Sequence, residues 1–169
     1  MAVPTIIKDK LKGWKPLVSV TDTPIRVGDV RRAESGGQER LVVVLRVQQD
    51  RKNAQVTIVH PYTEYATSAD VVVEPSVSNL SFPLVVQAGM RGVVWLNDLG
   101  PLITSVPAEV VAICLSPAKL WSLNQDYKMG LSSGPPLTGP LDARMTFKNS
   151  EHESLSRLTA DCTASALSE

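Results

Sequence analysis

Short runs of apolar and β-branched residues dominate the sequence up to about residue 115. Residues 25–32 alternate apolar with polar side chains, as expected of a half-buried strand. Residues 41–47 are almost continuously apolar, which suits a strand covered on both faces. Further runs lie at 55–59, 71–73, 84–86 and 93–96. Because turns separate these runs and no helical pattern alternates with them, the sequence predicts an all-β barrel or sandwich core.

Helical patterns come mainly after the β-type runs. A helix is predicted over 107–115, with proline at an early position, although its Val and Ile content leaves a strand open. A second short helical piece is predicted over 116–124, and the glycines and prolines of 130–140 indicate a linker. Residues 142–167 predict one amphipathic helix. Its apolar positions, three or four residues apart, are Leu155, Leu158, Cys162 and Ala166.

Composition narrows the class of protein. The 169 residues are 43% hydrophobic and 20% charged, which is ordinary for a globular domain. The chain has no apolar run near the roughly 20 residues that span a bilayer, and no signal-type N-terminus, so we expect a cytoplasmic protein without a membrane partner. Cys114 and Cys162 lie far apart and outside His/Cys clusters. They predict buried reduced thiols and indicate neither a disulfide framework nor a metal site.

The charge is zero overall but unevenly distributed. Residues 1–52 hold eleven Lys/Arg and six Asp/Glu, so the remainder carries an equal excess of acidic residues. Zero net charge argues against electrostatic capture of duplex nucleic acid. The basic first third can face an anionic ligand, or it can pair with the acidic remainder of the chain.

Several motifs follow one another in an unusual order. The first is Gly28-Asp29-Val30, followed by a glycine loop that ends in Gln38-Glu39-Arg40. An apolar strand comes next, and then Pro61-Tyr62-Thr63. Later come Met90-Arg91-Gly92 at the start of a Val-rich run, and Leu99-Gly100-Pro101-Leu102.

This order, over roughly residues 25–115, resembles the MazF/PemK family of toxin endoribonucleases in the CcdB/PemK superfamily. The resemblance implies an SH3-like barrel, a homodimer, and cleavage of single-stranded RNA without a metal or other cofactor. It also implies an antitoxin protein as a partner. The fold expected is therefore mainly β (α+β), a small SH3-like β-barrel with a few short helices and a C-terminal amphipathic helix.

The resemblance also assigns candidate site residues. Arg40 and Thr63 occupy the positions of the family's catalytic arginine and threonine, and a guanidinium offers two donors to a phosphate that gains negative charge. His60 is the candidate for proton exchange, because imidazole titrates near neutrality. The predicted substrate-binding residues are Arg91, Tyr62 and Gln38. Tyr62 and Tyr65 can stack on unpaired bases.

Three positions depart from the family pattern. Leu41 stands where the family has proline, and Gln87-Ala88-Gly89 replaces an acidic-glutamine pair. Glu64 places a carboxylate near where phosphate would lie. These departures favour an alternative function, a catalytically inactive barrel that acts as a protein- or nucleic-acid-binding module.

Each catalytic candidate also has a structural interpretation. Arg40 can pair with Glu39 or Glu34, Thr63 can cap local backbone in a turn, and His60 can be a satisfied structural histidine. The uneven charge suggests one more hypothesis, that an acidic tail helix lies in the basic groove and holds the site shut.

The predicted organisation has four parts. Residues 1–24 form an N-terminal extension, which includes a short basic helix at 5–13, and residues 25–116 form the barrel domain. Residues 117–140 contain the helical piece and the Pro/Gly linker, and residues 141–169 contain the C-terminal helix.

Overall fold

In the part of the chain that the structure describes, the β-type runs of the sequence and two further strands pair into one antiparallel sheet of seven strands. The computed structural model describes residues 23–123 and 130–166. The strands are β1 (Asp29–Ser35), β2 (Gln38–Gln48), β3 (Asn53–His60), β4 (Val71–Val73), β5 (Leu84–Trp95), β6 (Leu99–Ser105) and β7 (Leu131–Ser133). Their order in the sheet is β6-β1-β2-β3-β5-β4-β7, and every pair is antiparallel.

Four α-helices accompany the sheet within residues 23–123 and 130–166. They are α1 (Pro75–Ser78), α2 (Ala108–Leu115), α3 (Leu120–Leu123) and α4 (Ala143–Ala166). The helical predictions over 107–115 and 116–124 and the long C-terminal helix are confirmed where the structure describes them. Apart from residues 23 and 24, the N-terminal extension with its helix at 5–13 lies outside the described residues. In the described ranges, no helix is both long and apolar enough to cross a bilayer.

The mainly β (α+β) class is confirmed, but the sheet is open rather than closed into a barrel. In the part of the chain that the structure describes, β6 and β7 form its two edges and do not pair with each other. The sequence pattern predicts neither strand. β6 contains Gly100 and Pro101, and β7 lies in the predicted linker, so each depends on hydrogen bonds from its neighbour, β1 or β4.

The β1–β2 hairpin sets the register of the strand that carries Arg40. Its two turn residues, Gly36 and Gly37, have φ of +55° and +71°, as a two-residue type I′ turn requires. Ser35 pairs directly with Gln38, so both strands run up to the turn and no flexible loop separates them.

β5 is one strand of 12 residues where the pattern predicts two. The pairing with β3 shifts between Thr57–Arg91 and Val59–Val86, which leaves a bulge at 87–90. The buried hydroxyl of Thr57 lies 2.5 Å from the carbonyl oxygen of Gln87 and 2.8 Å from that of Met90. The hydroxyl therefore supplies one donor that the two carbonyl oxygens of the bulge share.

The pleat of the sheet gives it two differently covered faces. Leu41, Val43 and Leu45 point into a core shared with α2. Val42 and Val44 point the other way and pack in a second core that contains Leu158 of α4. The sheet is thus covered by α2 on one face and by α4 on the other.

α4 lies unusually close to β5. The predicted stripe of Leu155, Leu158 and Cys162 is buried, whereas the side chain of Ala166 lies outside the described residues. A Cβ atom at Gly92 would stand 2.6 Å from Cγ2 of Thr159 and 3.0 Å from Cδ1 of Leu155. The absence of a side chain at Gly92 therefore lets the helix seat on the sheet. The helix is not acidic, since residues 143–166 hold three Lys/Arg and three Asp/Glu.

We expect Gly92→Ala to lower the free energy of unfolding by about 1–3 kcal/mol, because the added methyl group overpacks the α4 interface. Gly89→Ala is the matched control in the same strand, since a Cβ there meets nothing within 4 Å. Urea denaturation of both variants measures the difference. Equal stability of Gly92→Ala and the parent would contradict the close contact.

Candidate active site beneath the C-terminal helix

Two of the predicted catalytic residues lie side by side on the α4 face of the sheet. Leu41 of β2 pairs with Val59 of β3, so the antiparallel register brings the next residues along, Arg40 and His60, next to each other. Arg40 is 8% exposed and His60 is 2% exposed. Both residues are in contact with α4.

The guanidinium of Arg40 is held by α4 and by its own strand. Its NH2 group donates to Oγ of Ser154 at 2.7 Å, and its NH1 group donates to the carbonyl oxygen of Glu39 at 2.9 Å. Its Nε atom lies 3.4 Å from Oε1 of Glu151, within ion-pair distance but without the alignment of a hydrogen bond. The carboxylate of Glu39 pairs instead with Arg32, so Glu151 is the anion that faces Arg40.

Glu151 pairs with Arg40 in a poorly solvated place. Burial raises the pKa of Glu151, and the nearby charge of Arg40 partly opposes that rise. A buried ion pair of this kind gains attraction but loses the hydration of both charges, so its net contribution to stability is small. Glu151 nevertheless occupies the guanidinium of Arg40, for which the resemblance implies phosphate binding.

His60 is buried as a neutral imidazole. Its Nδ1 atom accepts a hydrogen bond from the backbone N–H of Tyr62 at 3.2 Å. Burial, followed by the charge of Lys148, lowers the pKa of His60 from 6.5 to about 3. In this conformation the ring can accept a proton only weakly and does not carry one at neutral pH.

Phe147 of α4 is surrounded by aromatic rings from the end of β3 and the turn after it. It stacks on Tyr65 with ring centroids 4.3 Å apart and planes 9° apart, and it meets His60 edge-on at 4.9 Å. Tyr62 lies 6.4 Å from Phe147 and 6.0 Å from His60. The tyrosines that are candidates for base stacking are thus already in contact with a ring of the protein itself.

The other predicted site residues are more dispersed. Thr63 is exposed and begins a 3-10 turn, Thr63–Tyr65. Among the residues that the structure describes, no hydrogen bond or ion pair joins Thr63 to Arg40 or His60. Gln38 is half-buried at the start of β2.

Arg91 lies on the opposite face of the sheet. Its neighbour Gly92 faces α4, so the pleat turns the side chain of Arg91 toward α2. There its charge acts on Cys114, although burial dominates and raises the pKa of that thiol to about 12. The structure therefore brings Arg40, His60 and Tyr62 together and separates Arg91 from them.

Sequence reasoning missed the three α4 residues that contact the candidate site. Phe147, Glu151 and Ser154 follow a helical spacing of four and three, so they share one face of α4. This spacing is visible in the sequence and indicates that the three side chains act together. The sequence does not show which residues they contact, because those contacts depend on how α4 packs against the sheet.

Other features of the described chain lie away from this site. A cavity of about 400 Å³ near the C-terminal end of α4 is lined by residues that include Arg51, Lys52 and Trp95, but not by Arg40, His60 or Thr63. Both cysteines are buried free thiols, as predicted. Within 23–123 and 130–166, no three His, Cys, Asp or Glu side chains cluster in a way that could hold a metal ion.

The described residues thus define a mainly β protein with a basic and aromatic site closed by its own C-terminal helix. No protein-family model and no curated protein matches the chain. Among solved structures, it is similar to the toxin MazF-mt6 of Mycobacterium tuberculosis, with 21% identity and a TM-score of 0.41, over 57% of this chain and 98% of that chain.

Two further structures are similar to the chain. One is an endoribonuclease in complex with its cognate antitoxin from a mycobacterial species, with 15% identity and a TM-score of 0.44, over 63% of this chain and 100% of that chain. The other is an Mtb toxin, with 22% identity and a TM-score of 0.40, over 52% of this chain and 99% of that chain. The chain is thus similar to toxins of the kind that its motif order resembles.

The lowered pKa of His60 predicts a loss of stability in acid. Below pH 6.5 the unfolded chain binds a proton that the folded chain does not bind until about pH 3. As the pH is lowered from 6.5 to about 3, His60 alone should therefore reduce the free energy of unfolding by about 1.4 kcal/mol for each pH unit. His60→Phe should remove this part of the pH dependence in urea titrations. His152→Phe, which replaces the exposed histidine of α4, should retain it.

Proposed function

We propose that the chain is a toxin-like endoribonuclease that cleaves single-stranded RNA without a metal. The observation that supports this proposal is the adjacency of Arg40 and His60 on one strand pair, next to Tyr62 and Tyr65. A guanidinium suits a phosphate, and tyrosine rings, here half-buried against Phe147, suit unpaired bases. Arg40, Thr63 and His60 are the proposed catalytic residues.

The proposed reaction is attack of the RNA 2′-oxygen on the adjacent phosphorus. The bond from phosphorus to the 5′-oxygen breaks as the bond to the 2′-oxygen forms, which leaves a cyclic phosphate and a 5′-hydroxyl. Arg40 donates to the phosphate oxygens as they gain charge, and Thr63 adds a donor from the rim. His60 exchanges the proton of the 2′-oxygen or of the leaving oxygen. Tyr62 and Gln38 bind the RNA strand near the pocket. Arg91 binds a phosphate of the RNA outside the pocket.

A second function is favoured by one contact. Glu151 already faces Arg40 at 3.4 Å, so the guanidinium is partly neutralised by the protein itself. A chain that keeps this pair can act as a binding module for protein or nucleic acid without cleavage. Both functions are compatible with a cytoplasmic homodimer and with an antitoxin protein as partner, and we include these in the proposal.

The two functions separate when the full chain is incubated with mixed single-stranded RNA in EDTA. For the endoribonuclease we expect slow cleavage that Arg40→Ala lowers by about 100-fold or more, because a charge-stabilising donor is lost. Thr63→Ala should also lower the rate. Arg46→Ala, which removes an exposed arginine of the same strand, should leave it unchanged.

RNA that stays intact with every variant but is bound by the parent chain would support the binding module instead. RNA that is neither cleaved nor bound would reject both functions as far as nucleic acid is concerned. Cleavage that survives Arg40→Ala would assign the activity to another site or to a contaminant.

A further inference from the structure

α4 occupies the candidate site with groups that match the chemistry of the proposed substrate. The carboxylate of Glu151 lies where Arg40 would hold a phosphate oxygen, at 3.4 Å from Nε. The ring of Phe147 stacks on Tyr65 at 4.3 Å, as an unpaired base would. One helical turn, about 6 Å, separates the two residues. An anion followed by a flat ring is also the pattern that a nucleotide presents.

The contact between α4 and the rest of the protein is partly polar, and it includes an ion pair of 2.7 Å between Lys148 and the buried Asp70. Three residues of α4 that are buried at or near the interface, Glu151, Ser154 and Thr159, are polar. The Arg40–Glu151 pair contributes little net free energy, because both charges give up their hydration. The apolar part is a narrow stripe, of which Leu158 is the most deeply buried. A helix held in this way can exchange its contacts for those of a ligand that offers the same chemistry.

The start of α4 has its own anchor. Arg144 donates to the carbonyl oxygens of Ala66 and Pro135 at 3.1 Å each, and to that of Pro136 at 2.9 Å. The carboxylate of Asp142 pairs with the same guanidinium, and this contact keeps the pKa of Asp142 well below its usual range. If the rest of α4 lifts from the sheet, this first turn keeps the helix tethered beside the site.

α4 also contributes to the lowered pKa of His60. Phe147 of α4 contributes to the burial of His60, which is the main cause of the lowered pKa of His60. The second cause is the charge of Lys148, which is also on α4. Removal of the helix would return the pKa of His60 toward 6.5, into the range that suits proton transfer.

We propose that α4 is a tethered substrate mimic, which competes with single-stranded RNA for Arg40 and the tyrosines and keeps the site closed until it is displaced. This inference rests on the proposed function. It replaces the hypothesis of an acidic tail helix, because one placed carboxylate and one placed ring act here and the net charge of the helix does not. The competing ligand is single-stranded RNA, which presents its phosphates to Arg40 and its unpaired bases to the tyrosines.

A charge reversal on α4 tests the competition in the full chain. Glu151→Arg places like charge against Arg40 and should release the helix, so RNA affinity should rise about tenfold or more. Glu153→Arg is the matched control, because it makes the same change of charge at an exposed position of the same helix. Amide hydrogen exchange over residues 143–166 should rise in the first variant and not in the second.

A second pair of variants opens the site without touching Arg40 or its partners. Gly92→Val pushes against Thr159 and Leu155 from the sheet side, and Gly89→Val is its control in open space. Gly92→Val should raise amide exchange in α4 and RNA affinity, as Glu151→Arg does. This agreement would show that displacement of the helix, and not the added positive charge, increases binding.

A reversible lock completes the test. Because a Cβ at Gly92 would lie 2.6 Å from Cγ2 of Thr159, the double variant Gly92→Cys/Thr159→Cys has its two Cβ atoms within about 4 Å, which suits a disulfide. Oxidation should fix α4 on the sheet and lower RNA affinity about tenfold or more, and reduction of the disulfide should restore the affinity. The parent chain under the same redox conditions is the control.

The outcomes distinguish this inference from the proposed function. Greater RNA binding without cleavage in the opened variants supports the mimic and rejects the endoribonuclease. Cleavage and binding that are equal in opened, parent and locked chains overturn the mimic and leave the endoribonuclease standing. Greater amide exchange in α4 with no gain in RNA binding also overturns the mimic.

Discussion

A buried guanidinium needs acceptors, and this requirement connects the site of the protein to its fold. The register of β2 and β3 places Arg40 beside His60 on a face that would otherwise be open. Once α4 covers that face, Arg40 takes partners from the helix: Glu151 balances its charge, and Ser154 accepts a hydrogen bond from it. The neutrality of His60 and the inaccessibility of the site both follow from the packing of α4 on this face.

The packing of α4 on the sheet depends on how closely the helix can approach the backbone of β5, as well as on the side-chain contacts between them. Gly92 offers no Cβ to the helix, which lets Leu155 and Thr159 seat directly on β5. The interface then combines an apolar stripe with buried polar groups, a combination that specifies position more strongly than it stabilises. A contact of this kind suits the displacement that we propose for α4.

The two faces of the sheet have different roles in this arrangement. The face toward α2 is a continuous apolar core, in which Cys114 is an inert buried thiol. The face toward α4 carries the candidate site, with an arginine, a histidine and tyrosines at its rim. Arg91 belongs to the first face by the pleat of β5, so any part that it has in RNA binding lies outside the pocket around Arg40.

The sequence by itself determined the mainly β class, most strands and the C-terminal helix, because periodicity and β-branched runs are local properties. It also marked Arg40 and His60 as candidates, and their adjacency follows from strand register. It could not show that β5 is one bulged strand, since the hydroxyl of Thr57 holds that bulge from another strand. It could not reveal β6 and β7 or assign Glu151 to Arg40, 111 residues earlier in the chain. Only the tertiary structure decided these, because each depends on a contact between segments distant in sequence.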